Sequence, residues 1–190
     1  ARLPRLLEWL DAFKPDVACL QEIKCQTDSF PRMEFETRGY RCAVLGQKGF
    51  NGVAILSRIG LEDVSEGLPG DEADEQSRFL EATVGEGANA VRVACLYLPN
   101  GNPLPGPKFD YKLRWMQRLT THAAQLIGRD MPVVLAGDYN VIPTEIDVYK
   151  PERWVNDALF RIETREAFQQ LVAQGWTDAL RHLYPDEVIY

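Results

Sequence analysis

Three apolar runs in this sequence end in side chains able to do chemistry. Residues 17–20 lead into Gln21, Glu22 and Lys24, residues 91–98 bring Tyr97 and then Asn100, and residues 133–136 bring Gly137, Asp138 and Asn140. In sheets flanked by helices, ligands and chemistry collect at strand ends. If the three ends point the same way, Glu22 and Asp138 become paired carboxylates, oxygen donors suited to a hard cation such as Mg²⁺. Tyr97, Asn100 and Asn140 then offer neutral donors that hold phosphate oxygens without cancelling the metal's charge, and Lys24 adds a cation. Singly, each residue also reads as an ordinary polar group at a strand end. Asp138 and Asn140 read equally as a turn that closes the strand, and Tyr97 as a core aromatic with its hydroxyl at the surface. Only the joint pattern points to phosphoryl chemistry.

The elements that must position these residues follow from hydrophobic period. Leu3, Leu6, Leu7, Leu10 and Phe13 predict a helix over 2–13 that Pro15 terminates. A short helix is expected over 31–38, with Gly39 as its stop. Strands are expected at 17–20, 40–45, 52–57, 61–65, 78–84, 90–98 and 133–136, the last read as a buried central strand. Residues 85–89 look like a hairpin connection between two of them. Phe109, Leu113, Met116, Leu119, Ala123 and Leu126 mark a long helix whose other face carries Lys112, Arg114 and Arg118. Helices are also predicted over 151–159 and 163–173, with a last segment from Gly175 to Leu183. Helix–strand alternation mixed with a hairpin implies one α/β domain spanning residues 1–190.

The 190 residues are 45% hydrophobic and 26% charged, as in an ordinary globular domain. No apolar run approaches the ~20 residues that a membrane span requires, so no membrane partner is expected. The four cysteines show no CxxC spacing, which predicts free thiols and a reducing, cytoplasmic compartment. The net charge of −7 first argues against nucleic acid. Seven acids, however, crowd between Ile59 and Ser77 with no base among them, and outside that run 21 acidic residues balance 21 basic ones. The acidity is local, read as a solvated loop, and a neutral or basic face elsewhere is allowed.

Four motifs, in order, resemble those of the exonuclease III family. They are Leu20-Gln21-Glu22-Ile23-Lys24, Gly52-Val53-Ala54-Ile55-Leu56-Ser57, Tyr97-Leu98-Pro99-Asn100-Gly101 and Gly137-Asp138-Tyr139-Asn140-Val141-Ile142-Pro143-Thr144. Residues 146–149 and 175–181 resemble the family's later segments. That family comprises Mg²⁺-dependent DNA-repair nucleases within the endonuclease/exonuclease/phosphatase superfamily. The resemblance implies a DNase I-like four-layer sandwich of two mixed sheets with helices outside. It also implies a monomer acting on double-stranded DNA, as a 3′-to-5′ exonuclease and by incision at abasic sites.

By this resemblance Glu22 is a metal ligand, Tyr97 contacts the scissile phosphate, and Asp138 exchanges a proton with the attacking water or leaving oxygen. Asn140 stabilises the transition state, Asp138 and Asn140 join Glu22 at Mg²⁺ (or Mn²⁺ in its place), and Lys24 and Asn100 bind substrate. Basic residues from Lys108 to Arg118 are expected to track the DNA backbone. The family's first strand, with a metal-site asparagine, and its final aspartate and Asp-His pair have no counterpart here. The chain is therefore expected to be a fragment lacking both ends, with a sheet edge left exposed. Its two histidines, His122 and His182, match no motif. A phosphatase or phospholipase of the same superfamily would need neither Lys24 nor the Tyr97–Gly101 motif, and a truncated chain could also be a non-catalytic DNA-binding remnant.

Overall fold

The structure, a computed structural model, describes residues 2–190. Its contacts group the chain into two units, one running to Tyr97 and including Asp130–Asp138, the other comprising Leu98–Arg129 and Tyr139–Tyr190. The first unit contains both sheets. Its elements are α1 (Leu3–Phe13), β1 (Val17–Gln21), α2 (Arg32–Glu36), β2 (Arg41–Leu45), β3 (Val53–Ser57), β4 (Glu62–Glu66), β5 (Phe79–Val84), β6 (Val91–Tyr97) and β7 (Val133–Asp138). The strand order is β1-β3-β2 in one sheet and β4-β5-β6-β7 in the other. The smaller sheet is antiparallel throughout, and the mixing of directions resides in the larger, where β6 and β7 run parallel.

Period-two alternation explains the layering of this unit. In β3, Ala54 and Leu56 join Leu10, Phe30, Phe35 and Tyr40, which belong to α1, α2 and the segments flanking α2. Val53 and Ile55 point the other way, into a core with Leu80, Ala82, Val84, Val93 and Cys95 of the second sheet. Both faces of β3 are covered, so every residue in it is buried. The four cysteines are free, and burial raises the Cys42 thiol to about 11.

Two expectations are adjusted here. The strand expected over 61–65 is present as β4, Glu62–Glu66, along the edge of the larger sheet, so only the rest of the acidic run is the solvated loop. Arg92 ties this strand down: it pairs with Glu81 at 2.8 Å, both side chains nearly fully buried, and donates to the Asp63 carbonyl at 2.6 Å. The second change concerns β7, whose apolar run reads as buried. It is an edge strand, and Val134 is 46% exposed. Hydrophobic composition reports what a strand can bury, whereas neighbours decide what it does bury.

The second unit carries α3 (Pro107–Ile127), α4 (Ile162–Val172) and α5 (Ala179–Leu183). α3 and α4 pack together. Ile142, Val148 and Phe160 form a small core of their own. The helix expected over 151–159 is only the short 3₁₀ turn Pro151–Arg153 followed by turns. The Asp157 carboxylate accepts from the Leu159 backbone N–H at 2.9 Å, a local bond that competes with helix formation. The segments at 146–149 and 175–181 meet through Asp147, which caps Thr144 and forms an ion pair with Arg181. His122 lies half-buried on α3 and His182 exposed on α5. Among the described residues, no helix is long and apolar enough to cross a membrane.

Candidate active site

The six residues singled out from the sequence fall into two groups, one in each unit. In the first, β1 delivers Glu22 and β6 delivers Tyr97. The Tyr97 hydroxyl donates to Glu22 Oε1 at 2.6 Å, and Lys24 Nζ stands 3.3 Å from Glu22 Oε2. Just before these residues, the Cys95 thiol donates to the Leu20 carbonyl and accepts from the Gln21 amide, both at 3.3 Å, tying β6 to β1. Asp138 is the register partner of Tyr97 in the parallel β6–β7 pair. Gly137 makes that alignment feasible: with φ of +147°, a Cβ there would overlap the Leu96 carbonyl oxygen.

Glu22 and Lys24 both adopt left-handed backbone, with φ of 52° and 55°. Non-glycine residues in this region cost roughly 1 kcal/mol or more, and such strain concentrates at functional sites. Here it is held by backbone bonds to the next loop, from Ile23 N–H to Gly52 O at 3.2 Å and from Lys24 N–H to Asn51 O at 3.1 Å.

The charges of this group are mutually adjusted. The Tyr97 hydroxyl and then Lys24 hold the Glu22 carboxyl below the usual carboxylate range, against an opposing effect of burial. Tyr97 moves the other way, to about 12, through burial and the hydrogen bond and negative charge of Glu22. Glu22 is thus an anion and Tyr97 a neutral donor at physiological pH. Arg78, which sequence reading missed, stacks its guanidinium 4.9 Å from the Tyr97 ring centre and donates to the Tyr97 carbonyl at 3.2 Å. Its signal was positional: it is the first base after the acidic run, immediately before the strand that pairs with β6. A cavity of about 580 Å³ opens alongside, with Arg2, Gln21, Glu22 and Lys24 in its polar wall.

The second group is built on neutral amides. Asn100 Nδ2 donates to Asn140 Oδ1 at 3.3 Å, and Asn140 Nδ2 donates to the Leu98 carbonyl at 2.9 Å. Asn140 is left-handed, with φ of 46°, a conformation that asparagine tolerates better than most residues. Asn102 and Asp157, also missed, extend the chain of bonds: Asn102 Nδ2 donates to Asn100 Oδ1 at 3.0 Å and to Asp157 Oδ1 at 3.1 Å. One expectation fails in this unit. Lys112 is fully buried, so it cannot track a DNA backbone, whereas Lys108 and Arg114 are exposed.

No group of three His, Cys, Asp or Glu side chains suited to a metal occurs among the described residues. A closed zinc-type site therefore has no donor set here. Mg²⁺ asks for less, commonly one or two carboxylates with waters and substrate phosphate completing its shell. Glu22, ionised and part-exposed, fits that role.

Comparison with known proteins gives these residues a context. The profile of the Endonuclease/Exonuclease/phosphatase family matches residues 1–185. A zebrafish (Danio rerio) protein named DNA repair nuclease APEX1 is 32% identical over 185 residues, covering 95% of this chain but 58% of its own length. Among solved structures, an AP endonuclease from Archaeoglobus fulgidus superposes with a TM-score of 0.93 at 35% identity, over all of this chain and 72% of its own. A 3′-5′ exonuclease, NExo, from Neisseria meningitidis gives 0.92 at 38% identity, again over all of this chain and 72% of its own. In a further structure NExo is described as a 3′ phosphatase and is bound to a product DNA hairpin.

Proposed function

Because the chain belongs to the endonuclease/exonuclease/phosphatase family, of the kind that includes AP endonucleases and 3′-5′ exonucleases, we propose that it hydrolyses phosphodiesters of double-stranded DNA. The proposed reactions are removal of nucleotides from 3′ ends and incision at abasic sites. An abasic nucleotide is readily extruded, because little stacking must be broken. The observation that carries this reading is the 2.6 Å bond from Tyr97 to an ionised Glu22, with Asp138 beside Tyr97 in register.

In this reading Asp138 takes the proton of the attacking water and returns it to the leaving oxygen. Tyr97, a neutral phenol at physiological pH, turns its one O–H from Glu22 to a non-bridging phosphate oxygen when substrate binds. Asn140 donates to the same phosphoryl group as its charge develops, while Asn100 and Lys24 hold flanking phosphates. Glu22, with Asp138 and Asn140, would hold Mg²⁺ or Mn²⁺, which when bound supplies charge neutralisation at the phosphate. The protein acts as a monomer in the cytoplasm.

A second reaction, release of a 3′ phosphate from DNA, is supported by the relative described as a 3′ phosphatase. The test is cleavage of an abasic-site duplex and of a 3′-phosphorylated duplex in Mg²⁺ and in EDTA, with Asp138→Asn as control. Near-wild-type cleavage by Asp138→Asn overturns the assignment. Turnover of an inositol phosphate with none of either DNA would transfer it to the phosphatase branch.

A further inference from the structure

The apolar stripe of α3 contains a lysine. Phe109, Lys112, Met116, Leu119, Ala123 and Leu126 follow one another at intervals of three or four and are all buried, Lys112 to 0% exposure. Burying an ammonium costs several kcal/mol unless its hydrogen-bonding capacity is met. Here the ammonium meets backbone. Lys112 Nζ donates to the Asn100 carbonyl at 3.1 Å and to the Asn140 carbonyl at 2.5 Å. Its stem runs against Gly101, where a Cβ would come within 2.7 Å of Lys112 Cδ. One buried cation therefore grips the two loops whose side chains, Asn100 and Asn140, are bonded to each other.

A methionine would fill the same space and would leave both carbonyls without this donor. The charge thus does something that packing does not require. We infer that Lys112 is a positioning residue: by holding the backbone of Asn100 and Asn140, it fixes the direction in which their amides face a phosphate. This inference rests on the proposed phosphate-binding roles of those two asparagines. Lys112 itself, being fully buried, acts through them.

The test uses the full chain and two independent readouts. In ¹⁵N-labelled protein, Lys112→Met is expected to shift or broaden the side-chain amide signals of Asn100 and Asn140, with the circular dichroism of the fold retained. On an abasic-site duplex the same variant is expected to lose about 10- to 100-fold in kcat, with a smaller change in KM. In an Asn140→Ala background the further loss should shrink below about 3-fold, because the two residues act as one. Unmoved amide signals, or a full additional loss in the Asn140→Ala background, overturn the inference. Moved amide signals in a protein that cleaves no DNA would uphold the positioning role and overturn the nuclease reading. If Lys112→Met does not fold, Lys112→Gln, whose neutral amide keeps N–H donors without the charge, carries the same measurements with smaller effects.

Discussion

The Glu22–Tyr97 group and the Asn100–Asn140 group use opposite means to fix polar side chains. In the first, charges do the fixing: Glu22 is 35% exposed, carries a hydrogen bond from Tyr97 and an ion pair with Lys24, and answers to pH and salt. In the second, amides are fixed by neighbouring amides and by a lysine that solvent never reaches. The difference teaches that one chain can fix polar side chains by two means: charge tuning at Glu22, and hydrogen bonds between neutral amides whose backbone a buried lysine holds. Strained backbone occurs in both, at Glu22, Lys24 and Asn140, and in each it is held by hydrogen bonds to main-chain atoms.

The largest effect should come from the charged group. Asp138→Asn is expected to lower kcat on an abasic duplex by about 10³-fold, within the range typical of losing a general acid or base. A loss under about 10-fold would break the contrast by taking proton transfer away from this group. Next, Asn102→Ala removes the bonds to Asn100 and Asp157 and is expected to cost about 1–3 kcal/mol in urea unfolding, leaving the pH profile unmoved. A shifted pH profile would show that the two groups are not tuned independently.

Tyr97→Phe should reduce kcat about 10- to 100-fold and move the acid limb of the rate profile upward. The sign follows from Glu22. Its folded pKa is depressed chiefly by the Tyr97 hydroxyl, so the stabilisation it contributes is present above the ordinary carboxylate value and is lost as pH falls through the lowered one. Without the hydroxyl that loss begins at higher pH. Tyr97 acts oppositely: raised to about 12, its contribution is complete below its usual 10 and is lost as pH rises through about 12. The smallest effect is expected from Lys24→Met. This half-exposed pair should contribute under about 1 kcal/mol, and less in high salt, by the same unfolding measurement.

Much of the fold was legible because burial follows period. The short apolar runs of β3 and β5 and the Leu3-to-Leu10 spacing of α1 place those elements within one or two residues of their bounds. Glu22, Tyr97 and Asp138 were legible too, as polar residues at strand ends, and the structure brings Glu22 against Tyr97 and aligns Asp138 with it. What stayed hidden depends on partners that a local pattern cannot name. Lys112 sits on the helical stripe, yet its charge assigned it to the surface and gave its place to the half-buried Leu113. β7 is apolar enough for a core and lies on an edge. Asn102 looks like one more turn residue until Asp157, 55 positions away, is found beside it.

The bond between Tyr97 and Glu22 has an optical consequence. A phenol that ionises only near pH 12 shows its phenolate absorbance late, and part of that delay is owed to Glu22. Anything that draws Glu22 Oε1 away from the hydroxyl, whether a cation or a substitution, should bring the absorbance rise back toward pH 10. The difference in phenolate absorbance between the protein and its Tyr97→Phe variant isolates this one of seven tyrosines and reports the state of the carboxylate without turnover.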